Sequence, residues 1–202
     1  MIEDIVRASR SYRRFYEEKR IEPEVLRELV DLARLSPSAA NLQPLKYIVS
    51  ADPESNSRVF PALAWAGYLT DWPGPADGER PSAYIIVLGD TKITENFGCD
   101  HGIAAQSIML GAAEKGLGGC MIGSIDRQKL REALRIHDRF EILLVLALGY
   151  PNYAALDQLE AKWASWYVKY YGSQAKVSEG VKERDGSREV VAVRLVREVK
   201  LK

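Results

Sequence analysis

Two continuous apolar runs constrain the fold of this chain more than any other feature. The segments AYIIVLGD (Ala83–Asp90) and FEILLVLALGYP (Phe140–Pro151) are bounded by glycine, proline or serine. A short apolar run between breakers predicts a strand that is buried within a sheet. We therefore expect a sheet that other elements cover on its faces.

Helical periodicity marks several segments around these runs. The run IEPEVLRELVDLARLS has a proline near a helix start, followed by apolar residues at helical spacing. The run DHGIAAQSIMLGAAEKGLGG (Asp100–Gly119) predicts a helix that ends at Gly116 and Gly118, and its many small residues predict close packing against another backbone. Residues 2–9 predict a short first helix, and Asp126 is a predicted N-cap.

The remaining segments carry shorter signals. Leu45–Ala51 predicts a strand, one or two helical turns are expected between Asp52 and Ala66, and the breaker-rich stretch Gly67–Ser82 predicts a long surface loop. The aromatic-rich run LDQLEAKWASWYVKYYG is compatible with a helix, and Asp185-Gly186 is typical of a hairpin turn. Because helices and strands mix without strict βαβ alternation, we predict a layered α+β domain.

Charge and composition exclude several classes of protein. Lys plus Arg number 28 and Asp plus Glu number 28, so the chain has no net charge that would favour nucleic acid. No apolar run reaches the roughly 18–20 residues of a membrane span, and the N-terminus does not resemble a secretion signal. Two cysteines and two histidines are too few for a disulfide framework or a zinc cage. We expect a cytoplasmic protein without a metal.

The segment SRSYRRF could bind an anion. Arg10, Ser11 and Arg13 place two guanidinium groups and a hydroxyl within four residues. Arginine forks match phosphate oxygens in two-pronged geometry. The alternative is a solvated basic surface, or ion pairs with Glu17 and Glu18.

The segment GLGGCMIG contains more glycine than a helix end requires. Gly119 and Gly123 follow the residues that could cap the preceding helix. Glycine allows a flat ligand to approach the backbone closely and leaves its amide free to donate. A tight turn before a strand is the alternative. The segment does not match a dinucleotide or Walker fingerprint.

The connection LSPSAANLQP carries two amide side chains, Asn41 and Gln43, between two prolines. On its own, this pattern describes a turn stiffened by Pro37 and Pro44 and capped by Asn41. Other candidate groups are weaker. Cys120 has no nearby base and is best interpreted as a small buried apolar residue, and neither histidine has the partners that nucleophilic catalysis needs.

The order of these motifs resembles the nitroreductase family of flavoproteins. An Arg-Ser-x-Arg near the N-terminus, the connection SPSAANLQP before a strand, a small-residue helix ending in GLGGCMIG, and LALGYP follow one another from about Ile2 to Pro151. The resemblance implies one domain over 1–202, with a core over 1–151 and a variable C-terminal extension over 152–202. It further implies an α+β fold with a central mixed or antiparallel sheet flanked by helices, in an intertwined homodimer.

The resemblance also implies an activity. Similar proteins bind FMN at the subunit interface, reduce it with NADH or NADPH, and pass the electrons to a small-molecule acceptor such as a nitroaromatic or a quinone in a ping-pong cycle. The chemistry takes place on flavin N5, so no catalytic side chain and no metal are expected. Relatives with other chemistry, namely dehalogenation, azoline oxidation or flavin destruction, remain alternatives, as does a non-catalytic dimer that binds flavin or another anion.

The resemblance assigns cofactor-binding roles to three groups of residues. Arg10, Ser11 and Arg13 would bind the phosphate and ribityl end, and Arg194 is a further candidate for the phosphate because Ser9 stands where relatives often have an arginine. The partner subunit's copy of the connection would cover and contact the ring, and the end of the glycine segment would line the approach to N5 and O4. The residues of these two groups are Pro37, Ser38, Ala39, Asn41 and Gln43, and Met121, Ile122, Gly123 and Ser124.

Overall fold

The computed structural model describes residues 1–67 and 71–152 in full, and the backbone of 182–184 and 187–189. The helices are α1 (Ile2–Ala8), α2 (Pro23–Arg34), α3 (Pro53–Val59), α4 (Asp100–Glu114) and α5 (Arg127–Leu134), with single 3-10 turns at Ala39–Asn41 and Phe60–Ala62. The strands are β1 (Leu45–Ser50), β2 (Ala83–Asp90), β3 (Gly118–Ile122), β4 (Phe140–Gly149), β5 (Lys182–Arg184) and β6 (Ser187–Glu189).

Four strands form an antiparallel sheet in the order β1-β2-β4-β3. The two continuous apolar runs are β2 and β4, and they pair with each other at its centre, where both faces of a strand are covered. Every residue of β2 is buried. The predicted α+β fold with an antiparallel central sheet flanked by helices is confirmed.

Each face of the sheet has its own apolar core. Along β2, Ile85 and Val87 lie in one core and Tyr84 and Ile86 in the other, as the two-residue period of a strand requires. The first core also contains buried residues of α2 and α4, and the second contains buried residues of α3 and α5. The protein therefore has three layers, with the sheet in the middle.

Helix α4 packs closely against α2, as its small residues predict. A Cβ atom on Gly111 would lie 2.3 Å from Cδ1 of Leu32 and 3.0 Å from Cδ2 of Leu29. Glycine at this position therefore lets the two helices approach each other. Alanine there would require the leucine side chains to move.

Helix α4 ends earlier than predicted, at Glu114. Gly116 has a left-handed φ of 71°, and the N–H of Leu117 donates to the carbonyl of Ala112 at 2.8 Å, so the predicted glycine stop is confirmed there. Gly118 has a different role. It is the first residue of β3, and a Cβ atom on it would lie 2.4 Å from the ring of Tyr12.

By its backbone contacts the chain divides into two compact units, Met1–Tyr153 and Ala154–Lys202. In the second unit, β5 and β6 flank Asp185-Gly186 and pair antiparallel, which confirms the predicted hairpin. The aromatic run before them and Arg194 lie outside the described residues. The division into a core over 1–151 and an extension over 152–202 stays a prediction. None of the helices in the described segments is long and apolar enough to cross a membrane.

A buried ion pair closes one end of the sheet. The carboxylate of Asp90, which is 0% exposed, accepts hydrogen bonds from Nε of Arg139 at 2.6 Å, from Nη2 of the same side chain, and from the N–H of Lys92 at 3.1 Å. Arg139, through these hydrogen bonds, holds the pKa of Asp90 below its ordinary value. The pair thus stabilises the folded state above the ordinary aspartate pKa and loses this effect as the pH falls through the lowered value.

We expect the substitution Arg139→Gln to lower the free energy of unfolding most at neutral pH. The variant leaves a buried carboxylate without its cation, and protonating that carboxylate removes the penalty. Urea unfolding at neutral pH and in acid should show the difference from the wild type narrowing as the pH falls. Arg27→Gln, which breaks an exposed pair with Glu24, is the control. A difference that stays constant with pH would contradict the prediction.

Candidate functional site

The arginine segment lies along the outer edge of β3. Ser11 forms a parallel bridge with Gly119, and the N–H of Tyr12 donates to the carbonyl of Gly119 at 2.9 Å. A single backbone bridge thus attaches the segment to the edge of the sheet at Gly119. Arg10 and Ser11 are exposed and Arg13 is half-buried.

Phe15 anchors this segment to the core. Its side chain is 0% exposed, and a Cβ atom on Gly149 would lie 2.8 Å from its ring, so the ring rests directly on the end of β4. The N–H of Phe15 donates to the carbonyl of Glu79 at 3.0 Å, and the N–H of Tyr16 donates to that of Tyr150 at 2.9 Å. The backbone on the C-terminal side of the arginines is therefore fixed from two directions.

Glu17, one of the two glutamates that follow the arginines, binds a distant loop. The carboxylate of Glu17 accepts hydrogen bonds from the backbone N–H of Gly78 at 2.6 Å and of Arg80 at 3.2 Å. Glu17 therefore holds the loop that contains Gly78 and Arg80. In the same segment, Arg14 forms an ion pair with Glu79, with 3.4 Å between Nη1 and Oε1.

The end of β3 leaves backbone groups accessible. Because the carbonyl of Gly119 faces the arginine segment, the two-residue period of the strand turns the backbone of Met121 and Gly123 toward the same outer edge. Gly123 and Ser124 are exposed, and a Cβ atom on Gly123 would meet no atom within 4 Å. No hydrogen bond from either N–H is found among the residues described. The N–H of Gly123 therefore faces open space on the edge that carries Arg10, and the exposed N–H of Ser124 follows it just beyond the strand.

The side chains of β3 divide between the core and the surface. Ile122 is buried and Met121 is 36% exposed. Cys120 is buried, and burial raises the pKa of its thiol, so it behaves as the small apolar residue that the sequence predicts. The carbonyl of Ser124 accepts a hydrogen bond from the N–H of Ala64 at 2.9 Å, which fixes the chain just after the exposed amides.

The connection after α2 is held by Asp100, the first residue of α4. The carboxylate of Asp100 is buried and accepts hydrogen bonds from Oγ of Ser38 at 2.6 Å and from the N–H of Ala39 at 3.0 Å. Oγ of Ser38 in turn accepts from the N–H of Gln43 at 3.0 Å. Burial raises the pKa of the nearby Tyr47 hydroxyl to about 12, and the charge of Asp100 adds a smaller effect in the same direction.

The backbone of this connection is strained. Ala40, Asn41 and Gln43 have left-handed φ values of 49°, 55° and 52°. Residues with side chains rarely adopt this region, at a cost of about 1–3 kcal/mol each where they do, and such residues cluster at functional sites. Pro37, Ala39, Asn41 and Gln43 are exposed, so the strained turn presents them on the surface.

The structure brings two of the three predicted groups together in one chain. Arg10, Ser11 and Arg13 share the outer edge of β3 with the residues Met121–Ser124. The connection instead joins the start of α4, through hydrogen bonds from Ser38 and Ala39 to Asp100. Asp100 was missed by sequence reasoning: its place at the start of a predicted helix was visible, but its partner Ser38 lies 62 positions away along the chain.

Comparisons with known proteins agree on one family. The model of the nitroreductase family matches residues 6–73 and 78–150. A candidate NADH dehydrogenase/NAD(P)H nitroreductase of Archaeoglobus fulgidus is 30% identical over 147 residues, which cover 69% of this chain and 79% of that protein. A candidate NAD(P)H nitroreductase of Bacillus subtilis, YodC, is 23% identical over 185 residues, covering 72% and 87%.

Solved structures share the fold. An FMN-dependent nitroreductase from Clostridium difficile superposes with a TM-score of 0.61 at 23% identity, covering 73% of this chain and 86% of that one. A nitroreductase family protein from Clostridium novyi gives a TM-score of 0.63 at 22% identity, covering 75% and 86%. With the family match over most of the sheet and its helices, these findings show that the chain belongs to the nitroreductase family of oxidoreductases.

Proposed function

We propose that the protein is an FMN-dependent NAD(P)H oxidoreductase that reduces nitroaromatics, quinones or similar small acceptors. The observation that carries the proposal is the outer edge of β3, which has an exposed arginine, Arg10, beside Gly119 and an exposed backbone amide, that of Gly123, at its other end. Bound FMN would accept a hydride from NAD(P)H and pass electrons to the acceptor. The names of relatives, which include NAD(P)H nitroreductases and an FMN-dependent nitroreductase, support this choice.

The dimensions of the edge suit an elongated molecule with one anionic end. Gly119, beside the arginine segment, and Gly123 are four residues apart, which is roughly 13 Å along a strand. Arg10, Ser11 and Arg13 would hold the phosphate and ribityl end of FMN with charge-assisted hydrogen bonds. Nothing in the described part of the chain fills the space over Gly123, so a flat ring could lie against its backbone there.

The amides at the other end of the edge would bind the ring. Reduction increases the electron density on the polar atoms of a flavin, and hydrogen-bond donors at those atoms stabilise the reduced form. The N–H groups of Gly123 and Ser124 are such donors, with Met121 and Ile122 beside them. The protein would contribute binding, orientation and electrostatics, with no proton transfer assigned to a side chain.

The connection Pro37–Gln43 would reach the ring of the partner subunit in a homodimer. A second copy is needed in this proposal because the connection is anchored to α4 instead of the β3 edge. Large apolar side chains that a partner could cover are exposed on α1, on and next to α2, and on α4, namely Ile2, Val6, Leu32, Leu35 and Ile103. Size-exclusion chromatography with light scattering tests the dimer directly.

A visible spectrum tests the proposed function. The purified protein, or the protein after incubation with FMN and removal of free flavin, should show the absorption bands of bound flavin. Anaerobic addition of NADH or NADPH should bleach these bands, and a nitroaromatic or quinone should restore them. A protein that takes up no FMN contradicts the proposal. If the bound flavin stays oxidised, the protein is not an NAD(P)H reductase, and one of the other flavin chemistries becomes the better assignment.

Arg10→Ala should weaken FMN binding by roughly 10- to 100-fold, because a hydrogen bond to a charged group contributes about 1.5–3 kcal/mol. Riboflavin, which lacks the phosphate, should bind the variant and the wild type alike. Fluorescence titration measures both affinities. Arg27→Ala removes an exposed arginine of α2 and is the matched control. Equal losses for FMN and riboflavin would place Arg10 away from the phosphate.

A further inference from the structure

Two amide side chains of the strained connection bind each other. Nε2 of Gln43 donates to Oδ1 of Asn41 at 3.1 Å. Both residues have left-handed backbone conformations, and their side chains meet on the same side of the turn. The carbonyl end of the Asn41 amide is therefore engaged within the chain, and the Nδ2 end is the end that points away from Gln43.

The backbone of Gln43 is itself held in place. Its backbone N–H donates to Oγ of Ser38, and that hydroxyl donates to the buried carboxylate of Asp100. The N–H of Asn41 donates to the carbonyl of Ser38 at 3.0 Å, so both residues are tied to the same serine. The chain Asp100–Ser38–Gln43 thus connects the rigid start of α4 to the side chain that binds Asn41.

We propose that Gln43 is a positioning residue that orients the Asn41 amide so that its NH2 group faces the flavin of the partner subunit. This inference rests on the proposed function. It assigns to Gln43 a role in supporting Asn41 instead of the direct contact with the cofactor that the family resemblance implies for it.

The orientation matters because an amide has one donor end and one acceptor end. Turning Asn41 alone would set its NH2 group against the NH2 group of Gln43, and two donors cannot satisfy each other, so Asn41 can turn only if Gln43 turns with it. With Gln43 in place, Asn41 offers donors to the electron-rich edge of the ring, where they favour the reduced form. Without Gln43, either end of Asn41 can face the ring, and the carbonyl end would disfavour reduction.

A double-mutant cycle tests this coupling. The variants Asn41→Ala, Gln43→Met and the double variant are compared with the wild type for FMN affinity and for the midpoint potential of the bound flavin. Met keeps the length of the glutamine side chain, removes its donor, and leaves the backbone bond to Ser38 intact. Thermal unfolding of the flavin-free proteins checks that the fold is unchanged, as expected for two exposed side chains.

We expect Gln43→Met to weaken FMN binding about fivefold with Asn41 present, the effect of one ordinary hydrogen bond, and less than about twofold when Asn41→Ala is already in place. Both single variants should shift the potential to more negative values. The inference is overturned if Gln43→Met has the same effect with and without Asn41→Ala, or if the midpoint potential does not fall. In either case, FMN binding by the wild type would leave the proposed function intact. Failure of the wild type to bind FMN would instead remove the proposed function.

Discussion

Replacing Gly123 with valine is expected to weaken FMN binding by roughly 10- to 100-fold. The added carbon atoms would occupy the space that the bound ring needs, and such overpacking costs about 1–3 kcal/mol. The free protein has open space at this position, since a Cβ atom would meet nothing within 4 Å. The variant should therefore fold normally and fail only when the flavin ring must lie against the backbone. Fluorescence titration and thermal unfolding of the flavin-free protein separate the two effects.

Gly119→Ala provides the contrast on the same strand. A Cβ atom there would lie 2.7 Å from the carbonyl oxygen of Ala147, which is backbone of the central sheet and cannot move aside cheaply. We expect this variant to lose stability, whereas Gly123→Ala should retain it and bind FMN with an intermediate affinity. If Gly123→Val binds FMN as the wild type does, the ring does not lie over the end of β3.

Replacing Phe15 with alanine is expected to lower the free energy of unfolding by about 3–5 kcal/mol, as truncation of a buried aromatic ring generally does. This is a large share of the roughly 5–15 kcal/mol that stabilises a typical domain. The ring is fully buried against Gly149, and its loss leaves a cavity where the arginine segment meets the end of β4. Urea unfolding of the flavin-free protein measures the change.

Phe15→Leu and Ile93→Ala are the controls. Leucine fills most of the cavity and should cost much less than alanine. Ile93 is 40% exposed, so its truncation should have a small effect. Because Phe15 fixes the segment that carries Arg10, the alanine variant should also bind FMN more weakly than the leucine variant. A loss below about 1 kcal/mol for Phe15→Ala would contradict the burial of the ring.

The elements with strong local signals could be predicted from the sequence. The run Ala83–Asp90 is a strand with the predicted bounds, and Asp126 caps α5 by accepting a hydrogen bond from the N–H of Lys129 at 3.0 Å. The close packing of α4 follows from its glycine and alanine content. In each case the residues that decide the structure are neighbours along the chain, so pattern and geometry coincide.

The parts that depend on distant residues could not be predicted in the same way. The roles of Gly118 and Gly119 become clear only when Tyr12 and Ala147 are placed beside them, because the contacts that require glycine come from other strands and segments. The anchoring of Ser38 by Asp100 joins residues 62 positions apart. The family resemblance supplied the candidate site, whereas the residues that support the site emerge from tertiary contacts.

The arginine segment has a consequence for how this protein avoids aggregation through its edge strand. An edge strand with free backbone groups is a template for pairing with another chain, and proteins protect such edges with charged or covering segments. Here Ser11 and Tyr12 occupy the backbone of β3 at Gly119, with an arginine on either side of them. The residues proposed to hold a phosphate thus also protect the edge from strand-to-strand aggregation. Apolar residues in their place would lower the solubility of the protein as well as its affinity for the cofactor.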